Sequence, residues 1–270
     1  MLLNFTRAKH HAWLFFLSEA NHKLLSFGEV DLCMKIWNLS LLCFLVAMFF
    51  YSCKKDTEID GNVQLSIQYK VDNSLLLADT FAYQSPAGYQ YKITKLEYFI
   101  SNIQLKDISG KLQQLDTVFY VNALQSSTNS IVLPNIPTGK YTDLYFSIGL
   151  DSLHNISNSL SGSVEMENMA WPDMMGGGYH FLKLEGKYLN NGKEEGFAIH
   201  LGKNKNLVNV HLARTIEVMV NTNTTFPLTM NINEWLKNPE TYDFVLDGSY
   251  SMSSDAAMHK LQKNGSDVFY

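Results

Sequence analysis

The feature that most constrains this chain is a two-residue hydrophobic alternation that begins near Asn62. Val63, Leu65, Ile67 and Tyr69 are separated by polar residues, which is typical of a strand with one buried face. Similar short segments recur along the chain between turn residues, and they do not alternate with long helical segments. The pattern predicts an all-β fold, a single-domain antiparallel β-sandwich with little helix.

Turn residues divide the rest of the chain into further strands. Asn190-Asn191-Gly192 has the composition of a tight β-hairpin turn, and we expect one short helix around 254–263. The further predicted strands are 91–107, 118–121, 130–133, 143–149, 179–188, 197–201, 206–221 and 227–232.

The N-terminal region predicts export and a lipid anchor. Lys35 precedes an apolar run of 13 residues, Leu39–Tyr51, which ends in Ser52-Cys53 before a charged segment. A basic start, a short apolar core and a small residue indicate a secretory signal, and this core is short for a hydrocarbon layer of ~30 Å. A cysteine directly after the small residue resembles the bacterial lipobox, so we expect lipidation of Cys53.

These features divide the chain into four parts. Residues 1–33 precede a natural start at Met34, and we interpret them as an extension caused by a wrong start site. Residues 34–52 are the predicted lipoprotein signal peptide, 53–61 the lipidated cysteine with its linker, and 62–270 the β-sandwich domain. The expected location is the cell envelope, on the periplasmic face or the outer-membrane surface, with the membrane as a partner through Cys53.

Charge and cysteine content limit the functions of the mature chain. It would carry 17 basic against 23 acidic residues without a basic stripe, which argues against nucleic acid as a partner. All three cysteines lie at or before Cys53. A metal would therefore be held by histidine, methionine, a carboxylate or backbone oxygen.

Histidine, methionine and tryptophan are concentrated in the centre of the chain. The segments are GLDSLHN (149–155), MAWPDMMGGGYHFLKLEG (169–186) and HLG (200–202). Imidazole and thioether together suit copper better than zinc, calcium or magnesium. The order of these segments resembles the MbnP-like family of methanobactin-associated copper-binding proteins, in particular its Bacteroidetes-type lipoprotein members. The resemblance runs from Asn62 to the C-terminus and implies a β-sandwich that binds copper.

The resemblance also implies roles for single residues. His200 matches a recurring His-Ile/Leu-Gly element, His154 stands where the family has a histidine assigned to its metal site, and His259 matches a Met-His pair near the C-terminus. In the methanobactin-associated members, a tryptophan near the metal is oxidised to kynurenine by a dihaem peroxidase-like partner enzyme. Trp171 corresponds to that tryptophan, but Ala170 and Asp173 stand where the family pattern has further aromatic residues.

Two more candidate ligands come from the residues themselves. His180 and Met175 carry suitable donor atoms, although the resemblance assigns no role to His180. Strict strand alternation places His180 on one face with Leu182 and Leu184. Each candidate also has an ordinary structural interpretation, as a hydrogen-bonded strand histidine or a gap-filling methionine. Asp151 or Asp173 would hold a ligating imidazole through its second nitrogen.

These observations favour a protein that is not an enzyme and that binds copper for capture or hand-over. We expect His154 and His200 to hold the ion, with His180, His259 or Met175 in support. The chain contains no Gly-x-Ser-x-Gly, His-Glu-x-x-His, EF-hand or P-loop pattern. The alternative is a metal-free surface module that binds a glycan or a partner protein. Copper binding requires at least two histidines to converge within about 4 Å of one point, whereas the alternative predicts dispersed histidines and an exposed aromatic platform.

Overall fold

Two β-sheets make up most of the chain that the computed structural model describes, residues 59–160 and 162–270. The predicted extension 1–33, the signal peptide 34–52 and the lipidated Cys53 lie outside these residues. Within the described ranges, no helix is both long and apolar enough to cross a bilayer.

Most elements are strands, and the few helices are short. The strands are β1 (Asp60–Val71), β2 (Ser74–Leu75), β3 (Tyr83–Gln84), β4 (Gln90–Asp107), β5 (Leu112–Leu115), β6 (Phe119–Asn122), β7 (Ser130–Pro137), β8 (Gly139–Ile148), β9 (His180–Asn190), β10 (Lys193–Gly202), β11 (Val208–Val218) and β12 (Asn223–Asn231). The α-helices are α1 (Val164–Asn168) and α2 (Asp255–Asn264), and single 3-10 turns occur at Ser126–Thr128, Asp173–Met175, Asn204–Asn206, Ile232–Leu236, Ser251–Ser253 and Gly265–Asp267. The predicted tail helix is confirmed as α2.

The strands form one large and one small sheet. In the large sheet the order is β10-β9-β4-β8-β11, and the short strands β3, β5 and β6 also pair with β4. The small sheet has the order β12-β1-β2, with β7 also paired to β1. The predicted antiparallel sandwich is confirmed, with the qualification that β1 and β12 run parallel.

Side chains from both sheets form the core. Val63 and Leu65 on β1 are fully buried, as their alternation predicts. The hydroxyls of Tyr69 on β1 and Tyr98 on β4 are 2.9 Å apart and join the two sheets inside the core. Burial raises the pKa of both hydroxyls, so both remain neutral. One of them donates a hydrogen bond to the other.

The long connection between β8 and β9 positions the candidate site. It contains α1 and the 3-10 turn Asp173–Met175, and its last part folds back on itself. The backbone N–H of Trp171 donates to the carbonyl of Gly178, and that of His180 donates to the carbonyl of Met169. The tryptophan is thereby fixed beside the first residue of β9.

Candidate metal centre

A tight hairpin sets the register around His200. The turn residues Asn191 and Gly192 have positive φ values of 51° and 79°, as a two-residue hairpin turn requires. Counting from this turn, β9 and β10 pair so that His200 lies opposite Lys183. Because side chains alternate along a strand, Glu185 lies on the same face, two positions from Lys183.

A β-bulge then changes the face on which His180 lies. Leu201 is paired with Leu182, but Gly202 is paired with His180, so Phe181 is an extra residue on β9. A bulge of one residue turns the following side chains to the other face. The predicted alternation, which grouped His180 with Leu182, is therefore wrong at this position. His180 shares the face of His200.

The two imidazole rings meet as a result. Their centroids are 4.9 Å apart and their planes are nearly perpendicular, at 89°. Nδ1 of His180 is 3.1 Å from the carbonyl oxygen of Met169, and Nε2 of His200 is 3.0 Å from Oε1 of Glu185. A carbonyl and a carboxylate only accept hydrogen bonds, so each of these nitrogens carries the proton.

The opposite nitrogen of each ring is buried and has no partner. Nε2 of His180 and Nδ1 of His200 lack a hydrogen-bond partner among the described residues. In a neutral imidazole such a nitrogen presents a lone pair, and leaving it buried and unpaired costs free energy. Two unpaired lone pairs on adjacent rings are the arrangement that a shared metal ion would satisfy.

Burial, aided by a nearby positive charge, keeps His180 neutral. Burial is the main cause that lowers the pKa of His180, to about 3, and repulsion by Lys183 is the next. The hydrogen bond from His200 is the main cause that lowers the pKa of Glu185, which therefore stays ionised. A carboxylate that accepts from a ligating imidazole fixes the ring and makes its free nitrogen more basic.

Trp171 covers the histidine pair. Its ring centroid is 4.7 Å from that of His180, and the side chain is buried. It also lies on Gly202, where a Cβ atom would be 2.5 Å from Cε3 of the indole. The glycine of the His-Leu-Gly element is therefore explained by close packing of the tryptophan, two residues from His200.

The glycine run closes the loop that carries Trp171. Gly176, Gly177 and Gly178 all have positive φ, which side-chain-bearing residues rarely adopt. Met174 is 94% exposed, while Met175 is partly buried and packs against the core. The run is explained by loop geometry, and the role of Met175 as a ligand stays a prediction.

The other candidate histidines are placed differently. In His154, Nδ1 is 2.9 Å from Asp151 and Nε2 is 3.3 Å from Asp116, so both nitrogens face carboxylates. His259 is exposed on α2. Their roles as ligands stay predictions, whereas the ring pair that the structure brings together is His180 and His200. No group of three or more histidine, cysteine or acidic residues within the described ranges is arranged to hold a metal.

Two partners of the rings were not identified from the sequence. Glu185 and the carbonyl of Met169 hold His200 and His180, whereas Asp151 holds His154. The signal for Glu185 was present, because the hairpin turn fixes the register that brings it beside His200. The role of Met169 depends on the fold of the connecting loop, and no sequence pattern predicts it.

The donor atoms of the two histidines suit a metal ion. Imidazole nitrogens bind copper or zinc at about 2 Å, and ring centroids 4.9 Å apart are close enough for two rings to share one ion. Each ring already has the second partner that ligating histidines usually have. The donor set is thus two imidazole nitrogens, with no thiolate and no ligating carboxylate required.

The two-sheet β-sandwich and a family comparison together define the class of this protein. The chain belongs to the MbnP family, whose model matches residues 60–253. Its fold is similar to that of MbnP from Methylosinus trichosporium, with a TM-score of 0.54, 14% sequence identity, and coverage of 77% of this chain and 97% of the other. A comparison with curated proteins gives no match.

Proposed function

We propose that this protein binds one copper ion through Nε2 of His180 and Nδ1 of His200, for copper capture or hand-over and without catalysis. The observation that carries the proposal is the pair of buried, unpartnered imidazole nitrogens on adjacent rings. Imidazole ligands alone suit zinc as well as copper. Family membership is the observation that favours copper over zinc. Glu185 and the carbonyl of Met169 would orient the two rings.

The test is a copper titration of the full-length protein, purified in detergent, against a competing chromophoric chelator. His180→Asn and His200→Gln each keep a donor near the protonated nitrogen and remove the free one. We expect the wild type to bind one copper and both variants to lose it. His259→Asn, at an exposed position, is the matched control and should bind normally.

The same titration separates the competing interpretations. His154→Asn should retain copper if His180 and His200 are the ligands, and should lose it if the ion is shared by His154 and His200. Copper binding that survives both His180→Asn and His200→Gln contradicts the proposed site. No binding by the wild type would favour the metal-free module for a glycan or a partner protein.

We also propose that the protein is held in the cell envelope by lipid on Cys53. The support is the sequence of the signal region, with a short apolar core before Ser52-Cys53. The wild type should be recovered in the membrane fraction. Cys53→Ala should abolish the acyl modification, which mass spectrometry of the N-terminal peptide detects.

A further inference from the structure

A lysine side chain is buried beside the histidine pair. Lys183 lies directly opposite His200 in the pairing of β9 and β10, and the bulge places His180 on the same face. Its ammonium donates a hydrogen bond to the carbonyl of Asn168, the residue before Met169, whose own carbonyl holds His180. The positive charge of Lys183 is thus held near both imidazole rings.

The surroundings compensate this charge only in part. The acceptor at Asn168 is a neutral carbonyl, so the hydrogen bond does not cancel the charge. Glu97 lies opposite Lys183 on β4, and its charge raises the pKa of Lys183 against the larger effect of burial. Glu185 is already engaged by His200 and lies 3.6 Å from Lys95.

The strand pairing places this positive charge next to the rings. Lys183 lies directly opposite His200, and its ammonium is bound to Asn168, the neighbour of the residue whose carbonyl holds His180. A metal ion between the rings would be repelled by this charge. Because Coulomb energy scales with the product of the charges, a divalent ion is opposed about twice as strongly as a monovalent one.

We infer that Lys183 is a specificity-determining residue of the centre, which favours Cu(I) over Cu(II) through its buried positive charge. This inference rests on the proposed copper function. Lys183 itself is not a ligand, since its ammonium is engaged by Asn168 and a protonated amine has no lone pair.

The test compares the affinities for Cu(I) and Cu(II) in the full-length protein and in Lys183→Met. Loss of the charge should lower the ratio of Cu(I) to Cu(II) affinity about tenfold, which corresponds to a reduction potential about 59 mV lower for one electron. Lys183→Gln, which keeps a donor for Asn168, is measured in parallel in case the methionine variant does not fold. Lys183→Arg keeps the charge and should keep the ratio.

Lys187→Met is the matched control, because Lys187 lies on the same strand with its side chain 51% exposed. Solvent screens its charge, so its removal should leave the affinity ratio nearly unchanged. An unchanged ratio in folded, copper-binding Lys183→Met or Lys183→Gln overturns the inference and leaves the proposed copper function standing. Absence of copper binding in the wild type overturns both.

Discussion

Gly202 lies directly against the indole of Trp171, and a Cβ atom added there would be 2.5 Å from Cε3 and 2.6 Å from Cζ3 of the ring. Both residues are held by backbone pairing, Gly202 at the end of β10 and Trp171 by its bond to Gly178. Neither can withdraw freely, so the contact makes a mutation at this glycine a sensitive probe of the site.

Gly202→Ala should destabilise the protein. The added methyl group overpacks the contact with the indole, which costs typically 1–3 kcal/mol, and the displaced tryptophan should weaken copper binding because it packs on His180. Guanidinium unfolding and tryptophan fluorescence measure the two effects. Gly196→Ala on the same strand is the control, since the nearest atom to its Cβ is 3.4 Å away. Equal stability of the two variants would contradict the packing role.

Glu185→Gln should weaken copper binding while the fold is retained. The neutral amide no longer supports the imidazole of His200 with a negative charge, and loss of such a partner typically costs 10–100-fold in metal affinity. Chelator competition measures the affinity. Glu194→Gln is the control, because Glu194 pairs with the exposed Lys187 on the same hairpin. An affinity unchanged in Glu185→Gln would show that the carboxylate does not tune the site.

Copper should stabilise the folded protein through the two histidines. Free copper at 100 times the dissociation constant should raise the free energy of unfolding by about 2.7 kcal/mol if the unfolded chain does not bind it. Thermal unfolding with and without copper measures the shift, and a chelator should reverse it. The double variant His180→Asn/His200→Gln should show no such shift. A shift of the same size in the double variant would place the metal elsewhere.

The loop that carries Trp171 should be sensitive at Gly178. Its φ is +83°, and a Cβ atom would lie 2.4 Å from Oδ1 of Asn155, so Gly178→Ala combines backbone strain with a clash. Gly110→Ala has a similar φ of +89° but no atom within 4 Å. Both changes should carry a strain of about 1–2 kcal/mol, and Gly178→Ala should cost more by chemical unfolding. The reverse order would mean that Asn155 moves aside easily.

Much of the fold could be predicted from the sequence because alternation and turn residues act locally. The buried face of β1 follows from Val63 and Leu65, and the hairpin at Asn191-Gly192 fixes the pairing of His200 with Lys183. The parallel pairing of β1 with β12 could not be predicted, since it joins strands far apart in the chain.

The candidate site was only partly predictable. His180 and His200 both stood out by their chemistry, but their convergence depends on the bulge at Phe181, which the alternation along β9 does not reveal. His154, favoured by the family resemblance, has both nitrogens directed at carboxylates through a loop whose course the sequence pattern does not define.

The bulge at Phe181 decides whether His180 and His200 lie on the same face of the hairpin. A homologous chain could conserve both histidines yet lack the extra residue, and it would then display them on opposite sides of the same hairpin. A one-residue gap in an alignment at this point would therefore separate chains that can share an ion between these rings from chains that cannot. Surveys of this family should score that gap together with the histidines.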